Sequence, residues 1–265
     1  EILTALEDRD VDGFAARSSE ERNVLLNLAS RSTEFSILTS VEPTVGMLVF
    51  NWASEDFPVF SDRRMRQALQ VGLERQAIVE RHLLNSAVPA DSPLPLNSWA
   101  YSSSITQPAI DPTLARDLIS RVSLPESESA ETDSDAPDSD TENINDIPRL
   151  IFNLLTPDNP ALVSLAQDIA AQWTQIDPVN ILVQVEAVPT DIYLARLEAG
   201  DFHTVLVELS KNGNADPDVY TFWHQGQYPD GQNYGGANDR ATSELLERAR
   251  RDWNGINRIE IYQNF

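Results

Sequence analysis

The 265-residue chain is 41% hydrophobic and 23% charged, has no cysteine, and carries a formal net charge of −23. Length and apolar content suit one large domain or two small ones with a sizeable core. The charge argues against nucleic acid as a partner, because phosphate contacts need Lys and Arg. The missing cysteines remove disulfides, thiolate catalysis and Cys-ligated zinc.

No stretch approaches the roughly 18 consecutive apolar residues of a membrane helix. The chain opens Glu1-Ile2-Leu3, without the basic start and apolar run of a signal peptide. It is therefore expected to be a piece of a longer protein.

Residues 1–10 and 19–30 read as short helices; in the second, Val24, Leu25, Leu28 and Ala29 recur at helical spacing. Strands are expected near 35–41 and 45–51. Ser61-Asp62 opens a helix, with Ser61 as its cap and Met65, Ala68, Leu69 and Gly72 as its inner stripe. A second helix covers 75–84. The Pro- and Ser-rich segment 86–108 reads as an extended loop, and Asp111-Pro112 starts a helix to about 121.

Residues 124–146 hold nine acids and no base. With almost nothing apolar, this segment cannot bury enough surface to offset its ordering entropy, and a disordered surface insertion is expected. A calcium tract would need an EF-hand-like spacing of carboxylates around a Gly, and that spacing is absent.

Beyond the insertion the pattern becomes βαβαβ. Residues 149–155 form an apolar strand, and Asn159-Pro160 caps a helix whose inner face carries Leu162, Leu165, Ala166, Ile169, Trp173 and Ile176. A strand at 180–188, a helix at 190–199 and a strand at 203–209 follow. This alternation predicts an α/β fold with a sheet flanked by helices.

Ligands in such sheets bind beyond the carboxyl ends of the strands, which directs attention to the loop at 210–218. It holds Ser210, Lys211, Asn212, Gly213, Asn214, Asp216 and Asp218, and Tyr220, Phe222, Trp223, Tyr228 and Asn233-Tyr234 follow. Polar groups interleaved with aromatic rings suit a small polar ligand. The structural alternative is also open: Asp216-Pro217 has the form of a helix cap with Pro in the first turn, and Phe222 and Trp223 fit a core.

Catalytic constellations are missing. There is no nucleophile elbow, P-loop or dinucleotide fingerprint. The histidines, His82, His203 and His224, lie far apart. Asp216 and Asp218 have the chemistry of an acid and base, but 42 acids in the chain make such a pair unremarkable by number. The chain is expected to be no enzyme and to need no cofactor or metal.

The stretch SDRRMRQALQVGLER at 61–75 resembles the D-x-R-V-R-Q-A-[IL]-x-x-A-[IL]-D-R signature of the family 5 extracellular solute-binding proteins. These are the peptide, dipeptide and nickel receptors of ABC importers. Leu48-Val49-Phe50-Asn51 is similar to the L-x-F-N strand that precedes the signature, and Pro89 through Pro95 with Trp99 and Tyr101 to the loop that follows it. Asp111 through Leu118, Gln172-Trp173 with the strand 181–187, and Gly200 through His203 resemble further family landmarks. So do Asp216-Pro217-Asp218, Asn233-Tyr234 through Ala249, and Arg258 through Phe265. Glu74-Arg75 stands where Asp-Arg is usual, and Asp177-Pro178 where a Gly precedes the strand.

The resemblance implies a type 2 periplasmic-binding-protein-like lobe, one of two lobes that close on a ligand like a hinge. Residues 1–45 would form the hinge approach and the edge of the first lobe. Residues 46–265 would form the C-terminal ligand-binding lobe, interrupted by 124–146. The implied protein is a monomeric extracytoplasmic receptor, periplasmic or a surface lipoprotein. It would hand a small-molecule or oligopeptide ligand to an ABC permease. A ligand-sensing domain of a regulator with the same fold is the alternative.

Peptide receptors of the family usually place an Asp three residues before the Asp-Pro or Glu-Pro pair, where it grips the peptide's amino terminus. Here that position is Gly213, and Ser210 stands where a Trp is common. Lys211, the only lysine, suggests an anionic or carbonyl-bearing ligand, unless it is simply a solvated surface residue. The expected cleft residues are Ser210, Lys211, Gly213, Asn214, Asn233 and Tyr234.

Overall fold

Four strands, β1 (Thr44–Phe50), β2 (Leu150–Pro157), β3 (Ile181–Val188) and β4 (Thr204–Ser210), build one mixed sheet in the order β1-β4-β2-β3. The computed structural model describes residues 2–13, 15–16, 19–31, 34–38, 42, 44–84, 86–124, 149–210 and 216–265. β2 runs parallel to β3 and to β4, whereas β1 lies antiparallel along β4, from Thr44 opposite Ser210 to Phe50 opposite Thr204.

Before β1 come α1 (Ile2–Glu7) and α2 (Ser19–Arg31). After it come α3 (Arg63–Val71), α4 (Arg75–His82) and α5 (Pro112–Ser120). The strands β2, β3 and β4 are linked by α6 (Pro160–Ile176) and α7 (Thr190–Ala199), the alternation expected from the sequence. Three helices close the chain: α8 (Tyr220–Trp223), α9 (Arg240–Arg251) and α10 (Gly255–Asn264).

The sheet is buried on both faces because successive residues of its strands point to opposite sides. One face takes Leu150, Phe152 and Leu154 of β2 against Ala166, Ile169, Ala170, Trp173 and Ile176 of α6, with Met65 and Leu69 of α3 beside them. Trp173 is 1% exposed, and its indole N–H donates to the Leu69 carbonyl at 2.9 Å, so its polar atom is satisfied inside the core. The other face takes Val205 and Val207 of β4 against Tyr193 and Leu197 of α7. Tyr193 donates its hydroxyl to the Leu206 carbonyl at 2.8 Å, and burial pushes its pKa up to about 12. A third apolar cluster ties α9 and α10 to Leu94, Ala100 and Val219.

The caps at Asp111 and Asn159 form as expected, each side chain accepting an early helical N–H. Three expectations need correction. No strand forms at 35–38, and residues 39–41 lie outside the described set. Leu38 is 96% exposed, so no apolar burial draws this segment onto the sheet. Ser61 does not cap α3. It closes a 3-10 turn, Pro58–Ser61, donating to the Pro58 carbonyl, and Asp62 caps α3 by accepting the Arg64 N–H at 2.8 Å. Asp216 is not a helix cap either: the next helix begins only at Tyr220, with Val219 at its cap position. The acidic segment from Pro125 onward falls outside the described residues.

Candidate functional site

The carboxyl end of β4 is where an open α/β sheet presents a ligand site. Ser210 ends the strand there, exposed, and its Oγ accepts from the Thr44 hydroxyl at 3.3 Å across the antiparallel pair. The expected cleft residues Lys211, Gly213 and Asn214 lie outside the described residues.

The chain is described again from Asp216. Pro217 offers no N–H, so the Asp216 carboxylate accepts from the next one, Asp218 N–H, at 3.0 Å. Asp218 repeats the pattern with Tyr220 N–H at 3.1 Å. α8 begins only after these two turns, with Val219 at its cap position and no side-chain cap bond. Both carboxylates are also paired. Arg258 Nη2 donates to Asp216 at 2.8 Å, and Arg250 Nε donates to Asp218 at 2.8 Å.

Each arginine is held from a second side. Arg250 sits 3.7 Å above the Tyr220 ring, which in turn stacks on His224 at 4.1 Å. Arg258 lies 5.2 Å from the Trp99 ring centroid and 5.7 Å from that of Tyr262. The Asp216 hydrogen bond raises the Arg258 pKa further, so the guanidinium stays charged. Burial raises the Tyr262 pKa. Arg258 and Tyr262 are four residues apart on α10, one above the other on the same helix face. Composition and loop polarity did not single out Arg250, Arg258 or Trp99 as partners of this loop. The Arg-x-x-x-Tyr spacing was the available signal.

Asn233 and Tyr234 stand elsewhere. Asn233 is 2% exposed, and its amide donates to the carbonyls of Ala237 (2.8 Å) and His224 (3.4 Å) and accepts Ala237 N–H (2.9 Å). All three of these hydrogen bonds go to backbone groups of the lobe itself. Tyr234 packs with Met47 and Val49 of β1 against the α7 face of the sheet. The neighbouring Gly235 carbonyl accepts the Trp52 backbone N–H at 2.7 Å, beyond the Phe50 end of β1 and away from Ser210. Seven strand residues at about 3.3 Å each separate the two ends by about 20 Å. The described structure therefore does not bring Ser210 together with Asn233. Among the described residues, no three His, Asp or Glu side chains come together to hold a metal ion.

Residues 2–232 match the model of the bacterial extracellular solute-binding proteins, family 5, middle region. The chain belongs to this family. It is 23% identical over 205 residues to di/tripeptide-binding protein 1 of Pseudomonas aeruginosa, covering 77% of this chain and 34% of that one. To the dipeptide-binding protein of Escherichia coli it is 23% identical over 221 residues, covering 83% and 37%. It thus spans about a third of the length of these relatives. Among solved structures it is similar to the oligopeptide-binding protein AppA of Bacillus subtilis in complex with a nonapeptide, at 20% identity and a TM-score of 0.72, covering 98% of this chain and 48% of that one. It is also similar to NikZ of Campylobacter jejuni in complex with Ni(L-His), at 24% identity and a TM-score of 0.70, covering 100% and 49%. The family 5 chain therefore has the α/β, periplasmic-binding-protein-like fold, a mixed sheet flanked by helices.

Proposed function

We propose that this family 5 chain supplies the ligand-contacting lobe of an extracytoplasmic receptor that delivers a small polar solute or peptide to an ABC permease. Residues 46–265 make up that lobe in this reading, and residues 1–45 lead into it from the hinge. The observation that carries the reading is the loop after β4. It leaves the carboxyl end of a strand flanked by β1 and β2, where ligands of α/β sheets bind. Ser210, Lys211, Gly213 and Asn214 are its proposed contacts.

The ligand's recognised group is a carbonyl or an anion rather than an ammonium. Gly213 offers no carboxylate. The carboxylates that follow, Asp216 and Asp218, are already paired with Arg258 and Arg250. An ammonium entering there would have to compete with guanidinium groups that also stack on aromatic rings. Asn233, buried with its amide bonded to backbone groups of Ala237 and His224, and Tyr234, packed on the sheet, are supports of the lobe in this proposal.

Isothermal titration of the full-length protein against peptides with free and with acetylated amino termini, sugars and nickel chelates tests it. Binding that tolerates or prefers the blocked terminus is expected. No binding across all classes overturns the receptor reading, and strict dependence on a free amine overturns the ligand class.

A further inference from the structure

At the end of the sheet away from Ser210 lies a groove of about 460 Å³, within the roughly 300–1,000 Å³ usual for small-molecule sites. Trp52 and Tyr228 give it aromatic walls, and Gln225, Asn238 and Ser61 line it with polar groups. None of its lining side chains is Asp, Glu, Lys, Arg or His, in a chain that is 23% charged.

The groove is held rigid from behind. Arg66 lies 3.7 Å from the centre of the Trp52 ring and donates to the carbonyls of Phe60 and Ser61, so one face of the indole is pinned and the ring's position fixed. Trp52 N–H is tied to Gly235, and buried Asn233 braces the loop that carries Gly236 and Ala237. Gly236 forms the floor. Its φ is +65°, and a Cβ added there would meet Ala53 Cβ at 2.5 Å and the Tyr228 ring at 3.3 Å. A side chain at 236 would fill the space between Ala53 and Tyr228.

Rigid walls are paired with free polar groups. Among the described residues, the Gln225 and Asn238 side-chain amides and the Tyr228 hydroxyl have no protein hydrogen-bond partner. An amide offers both donor and acceptor, matching hydroxyl groups that also do both. A proline-rich segment, the other ligand that aromatic grooves take, presents mainly carbonyls and lacks N–H at proline. It would leave the two amide oxygens unmatched. An ionic ligand would meet no counter-charge at the surface of the groove.

We propose that the groove between Trp52 and Tyr228 binds an uncharged saccharide, with a sugar ring on the indole and its hydroxyls on Gln225 and Asn238. This site is separate from the β4 cleft edge, about 20 Å away along the strands.

Saturation-transfer NMR on the full-length protein, with maltotriose and N,N′-diacetylchitobiose as probes and a decaproline peptide as the competing class, tests the proposal. At least one sugar should receive saturation. Its affinity should fall about tenfold or more in the double variant Gln225→Ala/Asn238→Ala, from the loss of two hydrogen bonds. Both residues sit at the surface with unbonded side chains, so the variant should melt with the wild type. Trp52→Phe, a smaller ring, should weaken the same sugar without unfolding the lobe. No transfer to either sugar, transfer unchanged in the double variant, or binding of decaproline alone overturns it. None of these results depends on whether a solute binds at the β4 loop.

Discussion

Asn233→Ala separates a structural from a ligand-binding role for the Asn-Tyr landmark. In the structure the Asn233 amide makes two short hydrogen bonds, at 2.8 and 2.9 Å, both with Ala237, and a longer one to His224 at 3.4 Å. The long contact lies outside the usual 2.7–3.2 Å range and contributes little. The two short ones contribute about 1 kcal/mol each. Truncation also leaves the Ala237 N–H and carbonyl unpaired beside a buried side chain, which raises the total to about 2–4 kcal/mol. With a urea m-value of about 3 kcal/mol/M, the top of the range for small proteins, the unfolding midpoint should fall by about 1 M at unchanged slope. Circular dichroism in urea measures this. Titration of the folded variant with whichever solute binds the wild type should give affinity within about twofold. A midpoint that does not move, with solute affinity lost, would falsify the structural assignment and return Asn233 to the cleft.

Three further perturbations follow from single contacts. Neutral His203 accepts the Asn153 N–H at Nδ1, and burial lowers its pKa below 6.5 even though Glu186 and Asp201 pull the other way. The unfolded chain therefore takes up a proton first. The contribution of His203 is full above about pH 6.5 and is lost as pH falls through the lower folded-state value. Denaturation of the wild type minus that of His203→Gln, followed from pH 7.5 to 5, should show this slope; parallel curves would refute it. Tyr193 titrates at about 12 when folded and at 10 in the unfolded chain. Its stabilisation should thus be complete below pH 10 and disappear between 10 and 12, and Tyr193→Phe should flatten that alkaline limb. Gly235→Ala would place a Cβ 2.6 Å from the Phe50 carbonyl oxygen. Because the clash is with backbone, a loss of about 2 kcal/mol or more is expected in the same urea assay. A variant as stable as the wild type would mean that the loop does not lie where the structure has it.

Periodicity made most of the fold legible. The α6 face from Leu162 to Ile176 follows the 3.6-residue repeat closely enough to be found without a structure: four of its six residues, Ala166, Ile169, Trp173 and Ile176, are buried. Asn159 and Asp111 announced their helices because a cap is a local device: a side-chain oxygen reaches an N–H two or three residues ahead. The failures are also local signals, overruled by what lies across space. The stretch at 35–41 is expected as a strand, but its described part, 35–38, leaves Leu38 96% exposed, so no buried apolar face holds it to the sheet. Ser61 and Asp62 are both good caps by type, and what decided between them was the tight turn begun by Pro58. No propensity scale contains that turn.

The site was less legible for a related reason. A polar residue beside aromatics in a loop has the same composition whether it waits for a ligand or braces its neighbours. Asn233 and Gln225 show the difference. Asn233 is buried and closes three hydrogen bonds within five residues of its own loop and the His224 carbonyl. Gln225, which opens the short 3-10 turn Gln225–Gln227 before that loop, lines the groove and keeps its side-chain amide unbonded among the described residues. Asp216 illustrates the same point for charge. As a sequence neighbour of Pro217 it has the form of a cap, yet its strong partner is Arg258, 42 residues away on α10. That long-range pairing sets a guanidinium against the Asp216 carboxylate, and Arg250 does the same for Asp218. It is also why the anionic or carbonyl-bearing ligand first suggested by Lys211 and Gly213 is compatible with two aspartates standing next to them: the negative charge of Asp216 and Asp218 is already answered within the lobe by Arg258 and Arg250.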